Sequence, residues 1–282
     1  MNYYCYIAGL QEPQIDNPKS VPSMKELTDQ LMGLLSVSDR KLLDIFRLEY
    51  DNANLLNLLA NKEAEIDSLG ILGREDWTQL FDIIDESDEL NPPHDKRLRP
   101  YHLTFYQYIK SIDEQQTSVE PISKENYLAS LYYDFGLKVN NQFVKQWFEY
   151  NLNVNNILSA LISRKHGWNI TQAVVGNNNI ANAIRKSSTV RDFNIRTEID
   201  YLDQVIAIAD VPDLLEREHR IDLLKWQWLD ENTKFEYFSI EKILSYYIRC
   251  QIIHRWDTLT VEQGTAIFRQ LIDSLKNNAL KH

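Results

Sequence analysis

Residues 146–165 read QWFEYNLNVNNILSALISRK, and this stretch decides the fold. Its apolar residues recur at the three- and four-residue spacing of an amphipathic helix. The residues RKHG at 164–167 are typical of a helix C-terminus, because cations favour the negative end of the helix dipole and glycine follows the last turn. We therefore predict one long helix over residues 140–165.

An earlier segment, DIFRLEYDNANLLNLLANK at residues 44–62, has the same character. A shift of 102 residues superposes it on the later one. The superposed pairs are Phe46 with Phe148, Asp51 with Asn153, Asn54 with Asn156, Leu55 with Ile157, Leu56 with Leu158, Leu59 with Leu161, and Lys62 with Arg164. Such an internal echo indicates stacked, similar helical units rather than one irregular globule.

The mid-helix polar pairs Asp51/Asn54 and Asn153/Asn156 admit two interpretations. They form a contact surface for a partner protein, or they hydrogen-bond to neighbouring loops or helices and fix the packing. We favour the second interpretation, because buried amides tend to specify packing rather than to bind partners.

Glycine and proline number only 8 each among 282 residues, which indicates few turns and long helices. Residues 1–10, MNYYCYIAGL, are either a short strand or the start of a buried helix, since periodicity cannot decide at this length. Helices are predicted over residues 23–36, 38–62, 75–87, 101–111, 123–137, 140–165, a short part of 176–194, 197–209, 213–230, 236–255 and 261–278.

These elements predict an all-α fold of two to three similar helical bundles, with a possible short N-terminal strand. The stretch 86–100 is polar and contains three prolines, so it is the first candidate boundary. We expect the bundles to cover residues 1–90, 91–195 and 196–282.

The net charge of −11 restricts the partners of this chain. Phosphate backbones repel an acidic protein, so nucleic acid is not expected as a partner, and an anionic membrane surface is equally unfavourable. A basic patch on another protein is a suitable target. The two cysteines, Cys5 and Cys250, form no CxxC motif, which favours a reducing cytoplasm, and we expect both to be buried and unreactive.

Motifs for catalysis are weak in this sequence. It contains no GxxxxGK[ST] phosphate loop, and the segment Val175–Asn179 is interpreted as a turn between helices. Glu216 and His219 form one E-x-x-H, whereas a di-iron bundle needs two such motifs and two further glutamates. His254, near a helix end, is interpreted as a capping or packing residue. We therefore expect no catalytic residue, no metal site and no cofactor.

Aromatic side chains supply further interaction candidates. The pairs Trp226/Trp228 and Tyr246/Tyr247 lie on predicted helices, where the two rings of each pair point in different directions. One ring of each pair is then exposed as an interface anchor. The alternative is that neighbouring helices bury both rings. The basic residues 96–99 are interpreted as a solvated loop, with docking of an anionic group as the alternative.

At these residues the chain resembles a known family. The sequence DNANL at 51–55, followed by spaced leucines, resembles the C-type central-stalk subunit of V/A-type ATPases, known as the d-type in eukaryotes. Residues 153–157, with Leu161 and Arg164, resemble the same element, although Asn153 replaces the preferred Asp. Residues 235–256 resemble the carboxy-terminal helix of that family, but they lack the D-x-x-N core.

A closer resemblance involves residues 1–10 and 220–247. These segments are similar to an uncharacterised bacterial family whose genes accompany those of V/A-type ATPases and which there takes the place of the C-type stalk protein. The resemblance implies a funnel of helical bundles between the membrane rotor ring and the axle of the soluble motor, which transmits torque and binds no nucleotide. It also implies a cytoplasmic chain that is peripheral to the inner membrane, with membrane contact only through the rotor ring.

Three functions are therefore compared: a rotary-ATPase coupling subunit, which we favour, a free-standing helical adaptor of the solenoid type, and an enzyme with a helical-bundle metal site. The interaction candidates are Asp51, Asn54, Asn153, Asn156, Arg164, Trp226 and Trp228.

Overall fold

The computed structural model describes residues 3–86, 100–115 and 123–258. Helices account for most of this part of the chain, and it contains no strand. The helices are α1 Tyr4–Ala8, α2 Met24–Leu34, α3 Val37–Ala60, α4 Arg74–Glu86, α5 Pro100–Gln115, α6 Lys124–Leu137, α7 Gln142–His166, α8 Ile170–Ala173, α9 Asn179–Lys186, α10 Leu202–Ala209, α11 Leu214–Thr233 and α12 Ile240–Thr258, with a 3₁₀ turn at Pro18–Ser20.

The all-α prediction is confirmed. The possible N-terminal strand is wrong, because residues 4–8 form a helical turn instead. The helix predicted over 197–209 begins only at Leu202, since residues 195–201 form turns. The boundary predicted in 86–100, the basic residues 96–99 and the helix predicted over 261–278 lie mostly or wholly outside the described residues.

The chain divides into two compact units. The first contains residues 1–36 and 229–282, and the second contains residues 37–228, so the division falls within α11. The three-bundle division with boundaries near residues 90 and 195 stays a prediction.

In the first unit, α12 packs against α2 and the 3₁₀ turn. A capping box begins α2, where the Glu26 backbone N–H donates to Ser23 Oγ at 3.3 Å and the Ser23 N–H donates to Glu26 Oε2 at 3.2 Å. These two bonds satisfy backbone donors that a helix N-terminus otherwise leaves unpaired. His254 of α12 donates through Nε2 to the Pro22 carbonyl at 2.8 Å, in agreement with a packing role.

In the second unit, α7 is the central element and packs against α6, α8, α9 and α10. Fourteen of its residues are buried, and Gly167 ends it at φ 72°, in the left-handed conformation. A hydrophobic core lies between α3, α4, α5 and α6, and Trp77 of α4 packs there against Phe105 at 5.2 Å. The close contact of α6 with α7 depends on Gly136, because a Cβ at this position would lie 2.1 Å from the Phe148 ring.

The buried face of α3 is partly polar. Leu43, Leu48, Leu55 and Leu58 are buried, whereas Leu59 is 43% exposed. The same buried face carries the polar pair Asp51 and Asn54.

Candidate functional site

The first polar pair is buried and holds the loop that follows its own helix. Asn54 Nδ2 donates to the Asp67 carbonyl at 3.1 Å, and the Asp67 N–H donates to Asn54 Oδ1 at 2.8 Å. Asp51 accepts the N–H groups of Ile71 and Leu72 at 2.8 and 3.1 Å. We call Asp51 and Asn54, with residues 67–72, the first clasp. It fixes the loop between α3 and α4 across the middle of α3.

Arg47 and the small size of Gly70 also shape the first clasp. Arg47 donates from Nε to the Leu69 carbonyl at 2.9 Å and from Nη2 to the Gly70 carbonyl at 2.5 Å. Gly70 is required by close approach, because a Cβ there would lie 2.4 Å from Asp51 Oδ1. A side chain at position 70 would therefore displace the carboxylate from its two backbone donors.

The Asp51 side chain is 0% exposed. Burial raises its pKa to about 6, while the N–H groups of residues 71 and 72 and the charge of Arg47 act in the opposite direction. Burial disfavours the ionised form because the low-dielectric interior replaces its hydration. This carboxyl group therefore ionises at a pH closer to 7 than an exposed aspartate does.

The second polar pair forms a similar clasp. Asn156 Nδ2 donates to the Val175 carbonyl at 2.8 Å, and the Val175 N–H donates to Asn156 Oδ1 at 2.8 Å. Asn153 Oδ1 accepts the side-chain amide of Asn178 at 2.7 Å, and Asn153 is also hydrogen-bonded to Tyr201. We call Asn153 and Asn156, with residues 174–178, the second clasp. It fixes the loop between α8 and α9 against the middle of α7.

An arginine and a glycine also take part in the second clasp. Arg185 of α9 donates to the carbonyls of Val174 and Gly176 at 2.8 and 2.7 Å. Gly176 has φ 73°, a conformation that favours glycine. The segment Val175–Asn179 is thus the turn predicted from the sequence, and Asn178 caps α9 by accepting the Ala181 N–H.

The two clasps differ at their first position. Asp51 accepts two backbone N–H groups, which needs two acceptor oxygens, whereas Asn153 offers one oxygen and receives one side-chain amide. The single amide oxygen of Asn153 suits the single donor that Asn178 supplies. The four pair residues are 0–5% exposed, so they hold loops and present no contact surface.

Arg164 binds a third loop. Its Nη atoms donate to the carbonyls of Ser188, Val190 and Arg191 at 2.7, 2.7 and 3.1 Å, and its guanidinium lies 4.2 Å from the centre of the Phe193 ring. Burial lowers the pKa of Arg164, which nevertheless stays a cation. Lys62, which the shift places on Arg164, has an exposed side chain, so the equivalence of the two segments does not extend to this loop contact.

The tryptophans predicted as interaction candidates are partly buried. Trp228 packs against three rings, at 5.8 Å from Phe143, 5.4 Å from Trp147 and 5.3 Å from Tyr150. Trp226 is partly buried as well. The three rings that cover Trp228 all belong to α7, so this side chain packs against a neighbouring helix.

The candidates for metal binding and acid–base chemistry include Glu216 and the two cysteines. Glu216 forms an exposed ion pair with Arg220 at 2.7 Å. Within the described ranges, no group of three or more His, Cys, Asp or Glu side chains is placed to hold a metal ion. Cys250 is buried, but Cys5 is exposed, so the expectation that both are buried is wrong for Cys5. Burial raises the pKa of Cys250 to about 12.

None of the described helices has the length and apolar character needed to cross a membrane.

Several residues that shape the site escape prediction from the sequence. Arg47 and Arg185 donate to backbone carbonyls of the two loops, and Gly70 leaves room for the Asp51 carboxylate. In the sequence, only the glycine in each of these loops is a signal of such a contact. The exposure of four aromatic residues also escapes prediction from the sequence: Tyr4, Phe235, Tyr237 and Phe238. Aromatic residues concentrated in a turn between two helices are the signal in that case.

A family model described as "Protein of unknown function (DUF2764)" matches residues 1–279. No curated protein and no solved structure matches the chain.

Proposed function

This chain belongs to the DUF2764 family, and from that premise we propose that it is a non-catalytic coupling subunit of a rotary V/A-type ATPase. In this role it links the membrane rotor ring to the central axle. Its partners are the ring and axle subunits, and it meets the membrane only through the ring, on the cytoplasmic side.

The observation that carries this proposal is the likeness of the two clasps. Asn54 and Asn156 each exchange two hydrogen bonds with one backbone residue of a following loop. These asparagines belong to the segments that resemble the C-type central-stalk subunit of V/A-type ATPases. Similar local geometry at two places in one unit supports the proposal, because a funnel of similar bundles would repeat its local contacts.

The clasps also suit a part that transmits torque. Helices α3 and α7 have 24 and 25 residues, so each is about 37 Å long at about 1.5 Å per residue. Side chains in the middle of each helix form hydrogen bonds with a loop that follows the helix. Strong local constraints of this kind stiffen a helical spacer.

Affinity purification of the tagged, full-length chain from its own cells, under conditions that keep the ATPase intact, tests the proposal. Mass spectrometry is expected to recover axle and ring subunits together with the tagged chain. Deleting the gene is expected to leave ATP hydrolysis without coupled ion transport. Recovery of the tagged chain without any ATPase subunit, while a tagged axle still recovers the ring, contradicts the proposal.

A stoichiometric partner outside the ATPase, together with a gene outside any ATPase cluster, would instead favour the free-standing helical adaptor. That alternative keeps the fold and changes only the partner.

A further inference from the structure

The acidic side chains of this chain are unevenly distributed. All 41 Asp and Glu residues lie outside residues 150–191, a segment that contains five of the 30 Lys and Arg residues. This segment covers most of α7, all of α8 and α9, and the start of the loop that follows α9. A chain with a net charge of −11 therefore includes a long segment without a carboxylate side chain.

Hydrogen bonds of Arg164 bring the five cations of this segment near one another. Arg164, in the last turn of α7, donates to three carbonyl groups of residues 188–191, which follow α9. The last turns of α7 and α9 each contain two of the five Lys and Arg residues, and Arg191 is the fifth. We call residues 164–168 and 185–191 the basic patch.

The cations of the basic patch keep their charge unpaired. Arg164 and Arg185 donate to backbone carbonyls, which have no formal charge. Within the part of the chain that the structure describes, none of the five cations forms an ion pair with a carboxylate. Lys165, Lys186 and Arg191 are exposed, so their ammonium and guanidinium groups can reach a partner.

Two opposing contributions are smaller than this positive charge. Arg196 pairs with Asp192 at 3.5 Å and with Asp203 at 2.9 Å, so these three side chains add one negative charge beside the basic patch. The C-terminal ends of α7 and α9 each act as about half a negative charge, which is the usual reason for cations at such positions. Together, these contributions offset about two of the five positive charges.

The first turn of α6 adjoins the basic patch. Asn126 in this turn donates through Nδ2 to the Gln172 carbonyl of α8 at 3.2 Å. Lys124 and Glu125 in the same turn are both exposed and have opposite charges. This turn therefore adds no net charge.

Two other carboxylates of the second unit lie farther away. Asp200 and Glu149 are close to Tyr201, which is hydrogen-bonded to Asn153 in the middle of α7. Asn153 precedes Arg164 by about 16 Å along the helix axis, at about 1.5 Å per residue. This distance is twice the Debye length of about 8 Å at physiological ionic strength, so these carboxylates do not cancel the local positive charge.

An exposed tryptophan belongs to the basic patch. Trp168 is 52% exposed, and its ring stacks on that of His166 at 4.7 Å. Its backbone N–H donates to the Ser163 carbonyl at 2.8 Å, because Gly167 turns the chain with φ 73° or less, at 72°. This bond is that of a Schellman motif, in which the residue after the glycine often packs back onto its helix. The Trp168 ring is instead held towards solvent, and its fixed position lowers the entropy lost on binding.

We propose that the basic patch binds an acidic segment of another protein. The Asp and Glu side chains of that segment face Lys165, Lys186 and Arg191, and an apolar side chain beside them covers Trp168. This inference goes beyond the proposed function and does not depend on it, because it follows from the charges of the second unit alone.

Extended polyanions suit the basic patch less well. An anionic lipid surface is bound by clusters of about four to eight Lys and Arg residues, whereas only three of these cations are exposed. The phosphates of a nucleic acid would also meet the acidic remainder of the chain, which repels them. A short acidic segment avoids that repulsion because it contacts the basic patch only.

A fluorescein-labelled peptide of glutamates and leucines tests the proposal. Its binding to the full-length chain is measured by anisotropy at about 0.15 M ionic strength, where attraction beyond about 8 Å is largely screened. The triple variant Lys165→Ala/Lys186→Ala/Arg191→Ala is expected to weaken binding about tenfold, because three ion pairs with the peptide are lost.

A matched control separates the basic patch from overall charge. Lys41→Ala/Lys138→Ala/Lys145→Ala removes the same charge from other exposed positions of the second unit, and it is expected to change binding less than about twofold. Trp168→Ala leaves the charge unchanged and is expected to weaken binding at least about fivefold, because exposed aromatic anchors contribute strongly to such interfaces. Circular dichroism of every variant checks that it is folded.

Unchanged binding by the patch variant overturns the inference, and so does an equal loss of binding in the patch variant and the control. Patch-dependent binding to duplex DNA or to phosphatidylglycerol vesicles that exceeds binding to the peptide overturns the choice of a protein segment. Self-association of the chain that the patch variant loses, measured by sedimentation, overturns the choice of another protein and assigns the surface to a second copy.

Discussion

The phenyl rings of Phe46 and Phe148 lie 6.0 Å apart, and these two residues are superposed by the shift of 102 that relates α3 to α7. Tyr132 of α6 joins this contact, because its ring lies 5.0 Å from Phe148 and its hydroxyl donates to the Ile45 carbonyl at 3.2 Å. The rings of Phe46, Tyr132 and Phe148 therefore form one aromatic contact between α3, α6 and α7.

Removing one clasp asparagine should destabilise the protein markedly. Asn54→Ala removes both hydrogen bonds to Asp67, and each partly buried bond contributes about 0.5–1.5 kcal/mol. We expect the free energy of unfolding to fall by about 1–3 kcal/mol, and Asn156→Ala to act similarly. Urea unfolding followed by circular dichroism measures both.

Asn57→Ala on the exposed side of α3 is the matched control and should change stability by less than about 0.5 kcal/mol. An Asn54→Ala variant as stable as this control would show that the first clasp contributes nothing to the fold.

The pH dependence of stability should change when Asp51 is replaced by asparagine. Because the pKa of Asp51 is raised to about 6 in the folded chain, its stabilising contribution is fully present below the ordinary pKa near 3.8 and is lost as the pH rises through 6. Between pH 4.5 and 7.5, the stability of Asp51→Asn should therefore rise by about 2 kcal/mol relative to the wild type.

The comparison uses urea midpoints at several pH values, with Asp85→Asn on the exposed face of α4 as the control. A stability difference between Asp51→Asn and wild type that stays constant over this range would exclude a raised pKa at Asp51.

Gly136→Ala should be destabilising although it raises helix propensity. The added Cβ would lie 2.1 Å from the Phe148 ring, so α6 and α7 must separate or the ring must move. We expect a loss of about 1–3 kcal/mol, measured by thermal unfolding, and partial recovery when Phe148→Leu is added.

Gly33→Ala in α2 is the matched control, because a Cβ at this position would have no atom within 4 Å, and it should stabilise the chain by up to about 1 kcal/mol. Equal effects of the two glycine substitutions would contradict a tight contact between α6 and α7.

Arg164→Lys should not be a conservative change. Lysine has one ammonium group, so it cannot reproduce the contacts of two Nη atoms with three carbonyls or the guanidinium contact with Phe193. We expect a loss of about 1–3 kcal/mol and faster amide hydrogen exchange in residues 188–191.

Lys165→Ala, one residue along the same helix and exposed, should leave both the stability and the exchange of residues 188–191 unchanged. Unchanged exchange in Arg164→Lys would show that another group holds this loop.

Helix positions were predictable because their signals are local. The Ser23 capping box, the glycine after α7 and the spacing of apolar residues each act within a few residues, and the structure has a helix at each of these places. The extent of α10 was not predictable, since residues 195–201 have no local feature that forbids a helix and tertiary packing holds them in turns.

The sequence by itself determined an acidic chain of the all-α class, with two long helices that each carry a polar pair in the middle. Only the tertiary structure decided what those pairs do. The partners of Asn54 and Asn156 are backbone groups 13 and 19 residues farther along the chain, and a backbone amide has the same chemistry in every residue. The contact of Tyr4 with Phe238 was decided in the same way, because the fold brings these distant parts of the chain together and no local pattern specifies it.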